Sequence, residues 1–176
     1  MRFYSIMALL CLPIFVLSCK NDRKGLSNRE ISQNKKTFEK INKVLIEDDR
    51  ELIDNYVKRH NLDSMKVSGT GLYYYIWGIP KGDLIKTNNV VEYLYRISLL
   101  DGTLCYQSEN NTPKKFKVGQ GGVEYGLEQA VLLMRPGQKG KFILPPHLAY
   151  GLIGDGKKIP ARSIIVYDIE MLNVYR

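Results

Sequence analysis

Val123-Glu124-Tyr125-Gly126-Leu127-Glu128-Gln129-Ala130-Val131-Leu132-Leu133-Met134-Arg135-Pro136-Gly137 is the stretch on which the fold turns. Val123, Leu127, Ala130, Val131 and Met134 fall at i, i+4, i+7, i+8 and i+11, one apolar face of a short helix, and Pro136-Gly137 stops it. The sequence on both sides has a different period. Upstream, Gly71 to Gly78 is rich in aromatic and β-branched residues, and Val91, Tyr93, Tyr95, Ile97 and Leu99 alternate with Glu92, Leu94, Arg96 and Ser98. Asp101-Gly102 marks a turn directly after that run and opens a hairpin ending near Phe116. Downstream, Lys141-Phe142-Ile143-Leu144 leads into Pro145-Pro146, a long loop reaches Ile159-Pro160, and Ser163 to Tyr175 closes as a strand. One helix lodged late among strands predicts an α+β domain over residues 63–176, an antiparallel sheet wrapped around that helix.

Ahead of this domain, Phe38, Ile41, Val44 and Leu45 recur at helical spacing, followed by Leu52, Ile53, Tyr56 and Val57. They predict a helical extension over residues 37–62, either two helices or one bent one, and Asp48 with Glu51 resembles a capping box that favours a restart. Such an apolar stripe packs on the main domain or serves as a dimerisation arm. Residues 19–36 are polar and charged, too poor in apolar surface to offset ordering entropy, and are expected to form a flexible tether.

Residues 1–18 have the character of an address. The apolar run Ile6 to Leu17 is shorter than the ~20 residues a spanning helix needs, and it ends in Val16-Leu17-Ser18-Cys19, which resembles a bacterial lipobox. Cleavage before Cys19 and acylation of its thiol would anchor the chain by lipid outside the cytoplasm. Of the three cysteines, Cys11 leaves with the signal and Cys19 carries lipid, so Cys105 remains as the only thiol, suited to packing. The composition, 44% hydrophobic and 25% charged, is that of an ordinary globular domain. The net charge of +8 is scattered rather than gathered into an arginine-rich face, so nucleic acid is not expected as a partner.

Conventional catalytic groups are sparse. The two histidines, His60 and His147, lie far apart, and no serine sits in a nucleophile elbow. Asp168 and Glu170 share a strand face and read as a solvated edge. Gly119-Gln120-Gly121-Gly122 lacks the lysine and βαβ context of a phosphate loop and reads as a tight turn. No metal or other cofactor is implied.

The segment Phe142 to Gly151, with Gly154, Ile159-Pro160 and Ile165 to Glu170, resembles the FKBP-type peptidyl-prolyl isomerases. The resemblance extends back through Val90 to Gly102, Phe116 to Gly119, Val123, Gly126 and Met134 to Gly137, covering residues 85–175. The lipobox, the helical region and Gly69-Thr70-Gly71-Leu72-Tyr73 further resemble a Bacteroidetes lipoprotein branch that includes gliding-motility-associated isomerases. The resemblance implies an FKBP-like sheet and an enzyme that turns X-Pro bonds in an aromatic pocket. Its clients would be proline-containing envelope polypeptides, met from the periplasmic face of the outer membrane. It also implies the pocket: Tyr95 as a wall, Val123 at the helix entry, Tyr150 as the hydroxyl for a ligand carbonyl, Ile159 as an apolar lid and Tyr167 on the final strand.

Departures from the family pattern are equally specific. Cys105-Tyr106 stand at the Phe-Asp position after the turn, so no carboxylate is expected there; a hairpin registered one residue later would place Tyr106-Gln107 there instead. Lys114 replaces an aromatic, and Leu127 replaces the tryptophan of the floor. Glu124 stands where an isoleucine offers its backbone N–H, keeping that donor but changing the charge of the rim. A floor without an indole predicts looser proline binding and weaker activity. The alternative expectation is a non-catalytic chaperone or scaffold within an envelope complex.

Overall fold

The computed structural model describes residues 28–176, so the expected signal peptide, the expected lipidation site Cys19 and the start of the expected tether lie outside the described residues. The first element, α1 (Asn28–Arg59), corrects two expectations. Asn28 to Lys36, expected within the flexible tether, is helical. The helix also runs without a restart at Asp48. No glycine or proline interrupts Asn28–Arg59, and its polar residues are mostly good helix formers, so low hydrophobicity there argues against burial but not against helix. Thr37 Oγ1 donates to the Gln33 carbonyl at 3.0 Å, one turn back. No helix among the described residues is long and apolar enough to cross a membrane.

The described residues fall into two units that part between Phe38 and Glu39, and the second, Glu39–Arg176, is compact. The second holds a seven-stranded antiparallel sheet: β1 (Lys66–Val67), β2 (Tyr73–Trp77), β3 (Val90–Leu99), β4 (Leu104–Gln107), β5 (Lys114–Lys117), β6 (Lys139–Leu144) and β7 (Ile165–Tyr175). Their order is β1-β2-β6-β7-β3-β4, with β5 also pairing β3. The α+β architecture expected from the helix lodged among strands is what forms. Its helix, α2 (Tyr125–Leu132), is shorter than the apolar period suggests because Leu133 and Met134 continue only as a turn.

Strand periodicity sorts side chains onto two faces, each with its own core. On the concave face Phe142, Leu144, Ile165, Tyr167 and Ile169 pack against Leu127, Ala130 and Val131 of α2. That helix approaches closely because Gly126 has no side chain: a Cβ there would lie 2.5 Å from Leu144 Cδ2 and 2.8 Å from the Leu148 carbonyl. On the other face Tyr73, Ile143 and Val166 meet Ile53 and Tyr56 of α1. Here the Tyr73 phenol donates to Asp54 Oδ1 at 2.7 Å, and the buried Asp49 accepts from Arg162 Nη2 at 2.8 Å. Asp49 and Asp54, beside the Asp48 and Glu51 read as a cap, are thus tertiary partners.

The central ladder, β3 on β7, positions the site. Ile97 lies opposite Tyr167 and Tyr95 opposite Ile169, so Tyr95 and Tyr167 are diagonal neighbours on the concave face. The loop from Leu144 to Ile165 crosses over the mouth of that face. It turns through the short 3-10 segment Pro146–Leu148 and returns where the Arg162 N–H donates to the Gly151 carbonyl at 3.1 Å.

Candidate active site

A cleft of about 350 Å³ opens on the concave face between β3, β7, the start of α2 and the crossing loop. Leu127 is its floor, 1% exposed. Tyr93, Tyr95 and Tyr167 form one wall, with ring centroids 5.9 Å apart for the first pair and 6.2 Å for Tyr95 with Tyr167. Phe116 supports the wall from behind, edge-on to Tyr93 at 5.7 Å. Val123 and Glu124 lie at the helix entry, Tyr150 on the opposite lip, and Tyr106 and Asp155 across from them. Thus Tyr95, Tyr106, Val123, Glu124, Leu127, Tyr150 and Tyr167, all expected at the site, do converge.

Two expected residues do not line it. Cys105 and Ile159 are 1% and 2% exposed and belong to the main core beneath the cleft. Alternation along β4 turns Cys105 inward while its neighbour Tyr106 reaches the cleft. The Cys105 thiol lies 3.6 Å from the Lys158 carbonyl and borders a separate hollow of about 600 Å³ with Tyr95, Glu109 and Lys114. Ile159 contributes through its backbone rather than its side chain, since its N–H donates to Asp155 Oδ1 at 2.9 Å.

As read from the sequence, no carboxylate stands at Cys105, Tyr106 or Gln107, but Asp155 brings one beside Tyr106 from elsewhere in the chain. The Tyr106 phenol donates to Asp155 Oδ2, while Oδ1 accepts from the backbone N–H groups of Lys157 at 2.8 Å and Ile159 at 2.9 Å. An acid has therefore come from the crossing loop, held by an Asx turn. The Asp155-Gly156 pair, a turn sequence with Gly156 at φ +69°, was the available signal. The Tyr106 hydrogen bond, then these backbone donors, hold the Asp155 carboxyl below the usual range, and the same bond raises the Tyr106 phenol.

Glu124 is placed differently from a rim residue that only offers its backbone. It occupies the N-cap position of α2, with φ −61° and ψ 142°, but its side chain makes no cap hydrogen bond. The helix is started by its carbonyl, which accepts from Leu127 N–H at 2.9 Å and Glu128 N–H at 3.1 Å. The carboxylate turns into the cleft, where the Tyr150 phenol donates to Oε1 and the Tyr167 phenol to Oε2 at 3.3 Å. Burial, reinforced by the Glu124 charge, pushes both phenols upward, so they remain O–H donors throughout the neutral range. Burial likewise raises Tyr95. The cleft thus has an aromatic wall and an apolar floor, edged by neutral phenol hydroxyls and by the Glu124 and Asp155 carboxylates, and its apolar part suits a compact apolar ring with carbonyls beside it.

The profile of the FKBP-type peptidyl-prolyl cis-trans isomerases matches residues 82–172. The chain belongs to this family of enzymes. Among FKBP relatives, FK506-binding protein 2 of Dictyostelium discoideum is 39% identical over 90 residues, which span 51% of this chain and 68% of that protein. The isomerase FkpA of Aeromonas hydrophila is 31% identical over 153 residues, covering 86% of this chain and 56% of that one. The chain thus spans little more than half the length of the Aeromonas FkpA. The crystal structure of FkpA from Escherichia coli superposes with a TM-score of 0.61 at 29% identity, over 85% of this chain and 74% of that one.

Proposed function

We propose that this FKBP-type chain isomerises X-Pro bonds of exported or envelope polypeptides. The observation that carries the reading is the slot of Tyr95, Leu127 and Tyr167 with the Tyr150 hydroxyl at its lip. Rotation about X-Pro meets a barrier of ~18–20 kcal/mol because the amide gives up its resonance at the twisted state. No covalent bond breaks, so neither triad nor metal is needed. A dry slot that grips the proline ring and hydrogen-bonds a neighbouring carbonyl favours the twisted amide over the planar one. About 5 kcal/mol of such preference turns tens of seconds into milliseconds, since each 1.36 kcal/mol is tenfold.

The setting follows from the rest of the chain. Lipidation at Cys19 would hold the domain at the cell envelope, on the periplasmic face of the outer membrane. The exposed Phe38, Ile41, Val44 and Leu52 of α1 suit pairing with a second copy. A role in gliding motility rests on the resemblance to that lipoprotein branch. The full chain should accelerate isomerisation of a proline tetrapeptide and a proline-limited refolding reaction, with Tyr150→Phe slower in both. Acceleration of neither would defeat the proposal.

One observation favours a second reading, a non-catalytic chaperone or scaffold. The Glu124 carboxylate already holds the Tyr150 and Tyr167 phenols. Capture of unfolded clients without acceleration, unaffected by Tyr150→Phe, is the result that reading expects.

A further inference from the structure

Any ligand carbonyl that takes the Tyr150 O–H must first displace the Glu124 carboxylate, and that carboxylate is poorly provided for. It is half-buried and, among the described residues, accepts from two phenols, one of them at 3.3 Å. Among the described residues it forms no ion pair, although Lys114 and Lys157 line the same cleft. Asp155 differs: it accepts three hydrogen bonds, one from the Tyr106 phenol and two from backbone N–H groups that belong to its own loop.

We propose that Glu124 forms a cation subsite in the cleft, selecting prolines flanked by lysine or arginine. The inference rests on the isomerase reading and names the substrate class it prefers. A displaced, half-buried carboxylate must regain partners, and an unpaired charge is costly where the local dielectric is low. A lysine or arginine beside the proline supplies the missing charge as its backbone carbonyl takes over the phenol. A leucine leaves the carboxylate to water, and a glutamate brings a like charge against it, so discrimination arises from repulsion as well as attraction.

The test uses the full chain and N-acyl tetrapeptides carrying lysine, leucine or glutamate directly before or directly after the proline. In the parent, kcat/KM for lysine on at least one side should exceed that for leucine by about five- to tenfold, with glutamate lowest, as coupling between close charges at an interface allows. Glu124→Gln should level the three, and Glu124→Lys should reverse their order; both are checked for native near-ultraviolet circular dichroism. An order unchanged in both variants, with all peptides still accelerated, overturns the subsite and leaves the isomerase standing. No acceleration of any peptide defeats the isomerase reading instead. In that event calorimetric titration with the lysine and leucine peptides still decides the subsite: tighter lysine binding lost in Glu124→Gln upholds it, and equal binding overturns it.

Discussion

Replacing Arg162 by methionine removes a guanidinium that joins α1 to the loop bearing Tyr150 and Asp155. Arg162 Nη2 lies 2.8 Å from Asp49 Oδ1, and the two side chains are 36% and 8% exposed. The backbone of Arg162 sits at φ +56°, a left-handed conformation that methionine shares at the same cost, so the comparison removes the guanidinium's own contacts, the Asp49 pair and a long bond to the Leu45 carbonyl at 3.5 Å. Breaking a fully buried pair costs about 3–5 kcal/mol, because the surviving charge is left without a partner. Arg162 is partly solvated and water can reach the vacated position, which brings the expected loss to about 2 kcal/mol. For a domain of this size that is roughly 6 °C in Tm. Asp49→Asn should cost less, since the stranded guanidinium can turn to water. The double variant Asp49→Leu with Arg162→Met should recover part of the loss, because two apolar groups strand no charge. Thermal unfolding followed by far-ultraviolet circular dichroism measures the parent, Arg162→Met, Asp49→Asn, Asp49→Leu and the double variant. Arg162→Met within about 0.5 kcal/mol of the parent, or a double variant no better than additive, refutes the argument that a stranded carboxylate dominates.

Two further outcomes follow from single contacts. Gly126→Ala should destabilise by about 1–3 kcal/mol, since its Cβ meets the Leu144 side chain and the Leu148 carbonyl in a filled core; a guanidinium unfolding midpoint equal to the parent's would contradict this. Asp155 has its pKa depressed in the folded state, so its contribution to stability is present above the ordinary carboxylate range and disappears as pH falls through the folded value. Tyr106→Phe removes the largest cause, so the Asp155 titration should move upward toward the ordinary value; an unmoved carboxyl signal by nuclear magnetic resonance argues against the bond.

Much of the site was legible because it lies on regular elements. Tyr95 and Leu127 stand on apolar faces that strand alternation and helical period give, and the resemblance to the isomerase family assigned them, with Tyr167, to the pocket. Cys105 and Ile159 show the limit of position within a motif. Each stands at a family pocket position, yet packing carries both side chains into the core. Asp155 was missed because its importance depends on Tyr106, 49 residues away, and no periodicity links a loop acid to a strand phenol.

Local order along the chain was enough to determine the α+β class, the place of α2 and the family motif, because hydrophobic period and turn residues act over a few neighbours. Only the tertiary structure decided that α1 is continuous and that Asp49 meets Arg162. It alone brought Glu124 between Tyr150 and Tyr167, partners 26 and 43 residues distant. The reason is physical: a hydrogen bond or ion pair within a cleft depends on where the chain returns in space. That return is set by the packing of both faces of the sheet rather than by the residues on either side.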